Sequence, residues 1–85
     1  MGARVDLPDG LSVLLRSELE RSIYEAALSR DDSLIAQRYL VEKMPQIDIA
    51  VELGWERSTI SRRLPHILYA VEQTARKLFT QTTHK

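Results

Sequence analysis

The chain has 85 residues, 44% hydrophobic and 28% charged, and a domain of that size buries only about 60 to 65 per cent of the surface its unfolded chain exposes, which argues against a deep enzymatic cleft. Twelve Lys and Arg balance twelve Asp and Glu, so the overall basicity usual in nucleic-acid-binding domains is missing. There is no cysteine, which excludes disulfides, thiolate metal sites and thiol nucleophiles.

The first ten residues, MGARVDLPDG, lack the apolar centre of a signal peptide, and no apolar run approaches the roughly 20 residues of a membrane span. Residues 1–10 are expected to form an arm, and the protein is expected to be cytoplasmic with no membrane partner. From Leu11 to Leu28, the apolar residues Leu11, Leu14, Leu15, Leu19, Ile23, Ala26, Ala27 and Leu28 recur at three and four, the pattern of an amphipathic helix. Arg16, Ser17, Glu20, Arg21 and Glu25 form its outer face.

Arg30, Asp31, Asp32 and Ser33 make a polar break that offers N-caps to a second helix, Ser33 to Lys43, carrying Leu34, Ile35, Tyr39, Leu40 and Val41 or Met44 inward. Pro45 disfavours helical geometry at the residue before it, so a short joint follows. The next stretch, QIDIAVEL from Gln46 to Leu53, alternates like a strand, yet read as a helix it groups Ile49, Ala50 and Leu53 on one face. Pro45 at its start and Gly54 just past its end favour helix. After Pro65 a last helix of about fourteen residues is expected from Ile67, Leu68, Val71, Ala75, Leu78 and Phe79, with residues 81–85 as a frayed tail. The sum is an all-α domain over 11–80, a compact bundle of four to five helices.

Within it, residues 46–64 have the makings of a helix-turn-helix. Two helices crossing steeply need a small residue at their approach and a residue tolerant of positive φ in the turn, and Ala50 and Gly54 meet those needs. Ile60 and Leu64 lie one turn apart as inward anchors, and Val51 or Leu53 with Trp55 fill the wedge between the helices. With Ile60 and Leu64 inward, Ser58 and Arg62 point away from the core, and Thr59 and Ser61 lie toward the flanks. Ser and Thr are compact enough to approach base edges, and Arg pairs bidentately with guanine. Arg57, at the helix start, and Arg63 and His66, near its end, fall over flanking backbone, where positive charge holds phosphate. Gln46, at the start of the preceding helix, joins Arg63 and His66 as a candidate phosphate contact.

The run from Ser33 to Val71, SLIAQRYLVEKMPQIDIAVELGWERSTISRRLPHILYAV, resembles the C-terminal helix-turn-helix, the fourth region, of bacterial sigma factors. That family shows an arginine-tyrosine pair closing one helix, a short joint, an "IA..LG" helix, then "S.STV..RL". Arg38-Tyr39, Ile49-Ala50, Leu53-Gly54, Ser58-Thr59-Ile60 and Arg63-Leu64 match in order and spacing. Small phage late-gene regulators and the reading heads of some transposases are similar too. The resemblance implies a recognition helix in the major groove that contacts bases through Arg57, Ser58, Ser61 and Arg62, with RNA polymerase as a second partner. Two positions depart from the family: Glu56 replaces its capping Ser or Thr, and Pro65 is expected to bound a short recognition helix of about eight residues.

Residues 1–42 hold five Lys/Arg against eight Asp/Glu, whereas residues 43–85 hold seven against four. Charge is thus polarised toward the C-terminal half. The expected function is a sequence-specific DNA-binding transcription regulator. The alternatives are a module that binds RNA polymerase or another protein and touches DNA weakly, and the DNA-reading head of a transposase or recombinase. Tyr24, Tyr39 and Tyr69 are read as packing residues with wet hydroxyls. His66 and His84 have no metal-ligand spacing; no metal, cofactor or catalysis is expected. The apolar face of the 66–79 helix either packs on the Leu11 helix or forms a homodimer surface.

Overall fold

A computed structural model describes residues 9–80. Within them the chain forms α1 (Asp9–Ser12), α2 (Arg16–Glu25), α3 (Arg30–Ala36), α4 (Gln46–Leu53) and α5 (Arg57–Ala75), and no strand. Alpha3 runs on through a π-helical turn, Gln37–Val41, and α5 through another, Arg76–Thr80. The first helix begins inside the stretch expected to be an arm; most of that arm and the 81–85 tail, with His84, lie outside the described residues.

The helix expected over Leu11 to Leu28 is two helices. Its period is continuous, but the chain turns at 13–15, where the Glu18 carboxylate accepts the Leu15 N–H at 2.9 Å. This replaces the helical bond that N–H would otherwise make and starts α2 afresh. The turn lets Leu11 and Leu19 both enter the core, while Val13 and Leu15 stay outside. Alpha2 ends at Glu25, and just beyond its cap Ala27 takes a left-handed φ of 54°.

Alpha3 begins three residues earlier than expected. Its cap is Ser29, whose Oγ accepts the Asp32 N–H at 3.2 Å, and Asp31 and Asp32 occupy the first turn, where negative charge complements the helix dipole. The π turn closes on Lys43, at φ 62°, with the Met44 N–H reaching back to the Arg38 carbonyl at 2.9 Å. A left-handed residue at this place ends a helix, and here a lysine fills it.

Alpha5 is the axis of the fold and packs against α1, α2, α3 and α4. The two helices expected on either side of Pro65 are one, of 19 residues. Proline removes the N–H that would bond the Ser61 carbonyl and costs about 3 kcal/mol inside a helix. Against that, Ile60, Leu64, Ile67, Leu68, Val71 and Ala75 form one unbroken buried stripe on both sides of it. Each large member contributes about 1.5–3 kcal/mol on burial, so one continuous stripe outweighs the lost bond. Pro65 itself is exposed, so its ring is not packed into the core.

Around this stripe sit Leu11, Leu19, Ile23, Ile35, Leu40 and Ile49, each at most 6% exposed. Phe79 packs against the same core, so this part of the last helix's apolar face is covered within the chain. Ser22 is the buried polar residue among them, and its hydroxyl is satisfied by donating to the Glu18 carbonyl at 2.8 Å. Of the tyrosines, Tyr39 packs on the core as expected, but Tyr24 and Tyr69 do not; they are 81% and 64% exposed.

Candidate nucleic-acid interface

The turn between α4 and α5 rests on Gly54, at φ 73°. Its Trp55 neighbour donates an N–H to the Ala50 carbonyl at 2.9 Å, and Gly54 donates to the Val51 carbonyl at 3.2 Å, which satisfies the carbonyls at the end of α4. A Cβ at Gly54 would meet nothing within 4 Å. Glycine stands there for its backbone conformation and not for want of space. The small residue at the helix crossing is Ala50, 1% exposed, beside Ile49 and Ile60, both 0%.

Leu53 and Trp55 are half-buried against the core and fill the wedge. Val51 does not; it is 73% exposed on the outer face of α4, with Ile47 one turn before it. Alternation in QIDIAVEL had hidden which apolar residues face inward, and helical rotation separates Ile49 and Leu53 from Ile47 and Val51.

A bidentate clamp fixes α4 to the helix before it. Arg38 donates through Nε and Nη2 to the Glu52 carboxylate at 2.8–3.1 Å, and through Nη1 to Glu42 at 2.7 Å. The hydrogen bond from Arg38 holds the Glu52 carboxyl below its usual range, and Glu52 in turn raises the Arg38 guanidinium. The arginine of the arginine-tyrosine pair therefore orients α4 within the bundle.

The five residues expected at bases divide into two sets. Ser58 and Arg62 are exposed and lie on the outward side of α5, and Arg57 is exposed at its first position. At about 100° per residue, Arg57 stands about 140° round the helix from Arg62, so the two guanidinium groups face different directions. Thr59 and Ser61 are half-buried. Ser61 Oγ donates to Gln46 Oε1 at 2.6 Å, tying the expected base contact to an expected phosphate contact.

Arg63 is drawn inward. Its Nη2 and Nε reach Asp32 Oδ1 at 2.8 and 2.9 Å, and its guanidinium stacks 5.3 Å from the centre of the Trp55 ring. Half-burial of the arginine stem, the ion pair and the cation-π contact all hold it against α3. In the sequence Asp32 offers only a possible cap; a partner 31 residues away leaves no local signal. His66 is exposed on α5, one turn beyond Arg62. Glu56 precedes the helix and makes no side-chain capping bond; only its backbone carbonyl is used, by the Thr59 and Ile60 N–H groups.

Among the described residues no group of three or more His, Asp or Glu could hold a metal ion, and no helix is long and apolar enough to cross a membrane. No protein-family model, curated protein or solved structure matches the chain.

Proposed function

We propose that the protein binds double-stranded DNA in a sequence-specific way and regulates transcription, with the first two turns of α5 in the major groove. The observation that carries this reading is the outward placement of Ser58 and Arg62 on a helix whose pitch against α4 is set by the left-handed Gly54. Arg62 is the base-reading residue, as a bidentate donor to guanine; Ser58 serves as a short-range donor or acceptor beside it. Gln46, held by Ser61, sits at the start of α4 where HTH proteins meet backbone phosphate. Its amide oxygen accepts the hydrogen bond from the Ser61 hydroxyl, which leaves the amide N–H groups to donate to phosphate. The sigma-like motif adds RNA polymerase as a proposed protein partner.

The test is selection of binding sites from random duplexes at fixed salt, with and without RNA polymerase. Arg62→Ala is expected to lose discrimination at one base pair, about 1–3 kcal/mol, while other positions keep theirs. If no sequence is enriched by the wild-type protein, the proposal fails.

A second reading is favoured by the Asp32–Arg63 pair, which withdraws one of the three arginines expected on this helix. With zero net charge, a protein-binding module with weak DNA contact remains a competitor. Retention of RNA polymerase by a variant lacking Arg57 and Arg62, together with no enriched duplex, would favour it.

A further inference from the structure

The unbroken course of α5 carries its outward face well past the motif. From Arg62 the same side of the helix continues through His66 and Tyr69, at spacings of four and three, and all three are exposed. Tyr69 is 64% exposed although it stands in the middle of the helix that organises the core. Packing therefore does not account for this aromatic residue.

Among the described residues of α5, this face carries no exposed carboxylate. Glu72 is the one acidic residue in α5, and it is turned aside, with its side chain 14% exposed, paired to Arg76 and lying against Gly10 of α1. Glu56 precedes the helix. Alpha2 differs, since Glu20 and Glu25 share its outer face with Arg16 and Arg21. A long surface that offers a guanidinium, an imidazole and a phenol, with no negative charge among them, complements an anion.

Helix geometry decides which anion. In a helix-turn-helix the N-terminal residues of the recognition helix reach the base edges, and Ser58 to Tyr69 spans eleven residues, about 16 Å at 1.5 Å each, so Tyr69 stands well beyond the part of the helix that reads bases. With Ser58 and Arg62 at the bases, His66 and Tyr69 fall at the groove's rim, where the phosphates stand. Resting on the DNA-binding reading above, we infer that Tyr69 is a backbone contact, its hydroxyl donating to a phosphate oxygen at the edge of the groove, with His66 beside it. Pro65 fits this course of the chain. A helix ending there would have stopped short of the rim.

The experiment compares Tyr69→Phe, Tyr69→Ala and Arg62→Ala with the wild type on two duplexes of equal length, the one enriched by selection and a scrambled one. Tyr69→Phe is expected to weaken both by the same factor, roughly threefold to tenfold, with the sequence preference intact. The salt slope is expected to hold, because a phenol carries no charge. Circular dichroism and the unfolding midpoint are expected to be unchanged, since the ring lies outside the core. If both Tyr69 variants bind like the wild type while Arg62→Ala loses discrimination, the DNA-binding reading stands and the Tyr69 assignment is overturned. If Tyr69→Ala leaves duplex binding intact and converts a dimer to monomer, the face is a protein surface and the assignment is likewise overturned. If the wild type binds neither duplex, the DNA-binding reading fails and takes this inference with it.

Discussion

Arg63 illustrates how a residue's surroundings engage it. On the helix surface it looks like a phosphate contact, yet Asp32 and the Trp55 ring hold it at 2.8 Å and 5.3 Å. The pair is partly exposed, so a double-mutant cycle of Asp32→Ala and Arg63→Ala is expected to give a coupling of about 0.5–1 kcal/mol in denaturant unfolding. A coupling near zero would mean that the contact contributes nothing to holding α5 on α3. Gly54 and Lys43 form a second contrast, since both occupy left-handed backbone. Gly54→Ala is expected to lower stability by about 1–2 kcal/mol through backbone strain alone, as its Cβ would clash with nothing. Lys43→Gly is expected to raise stability by about 1 kcal/mol or less, because relief of strain is partly offset by the entropy of the unfolded glycine. Unfolding midpoints check both, and equal signs would show that the local conformations are misassigned.

The helices differ in how openly their bounds are written. Alpha4 is legible because Pro45 and Gly54 punctuate it, and its αL closure follows from the glycine. The start of α3 is legible only as a polar cluster, since Ser29, Asp31, Asp32 and Ser33 all have capping chemistry and packing of Ile35 decides which is used. The break between α1 and α2 is silent, because a glutamate three residues on makes the cap and no Gly or Pro marks it. Alpha5 shows the opposite failure: Pro65 signals an end that the buried stripe overrides. The N-terminus of α5 has a weak cap, and Glu56→Ser is expected to stabilise the protein by about 1 kcal/mol. The same change is expected to tighten duplex binding, because it removes a carboxylate from the edge of the proposed groove-facing helix. Thermal unfolding and duplex titration separate the two effects; a stabilised variant with unchanged affinity would place Glu56 away from the DNA.

At the scale of the bundle, the Arg38–Glu52 clamp ties α4 to the helix before it and gives the fold a pH dependence. Glu52 has its folded pKa lowered by the hydrogen bond from Arg38. A carboxyl of that kind adds stability above the unfolded value, about 4.3, and loses it as pH falls through the folded value. The wild type is therefore expected to be more stable than Glu52→Gln at pH 7, with the gap closing as pH falls below about 4. Denaturant midpoints measured across that range check it, and a gap independent of pH would mean that Glu52 acts through packing and not through its charge.

Helical class, the position of the turn and the inward anchors Ile49, Ala50, Ile60 and Leu64 were legible from local pattern, because periodicity and backbone conformational preference act over a few neighbouring residues. So was the outward placement of Ser58 and Arg62, which follows from helical rotation once the anchors are known. The fate of Arg63, the pairing of Ser61 with Gln46, the exposure of Tyr69 and the continuity of α5 through Pro65 were not. Each depends on a competition between groups brought together from separate parts of the chain, or on burial summed along an entire helix, and neither quantity exists until the helices have packed.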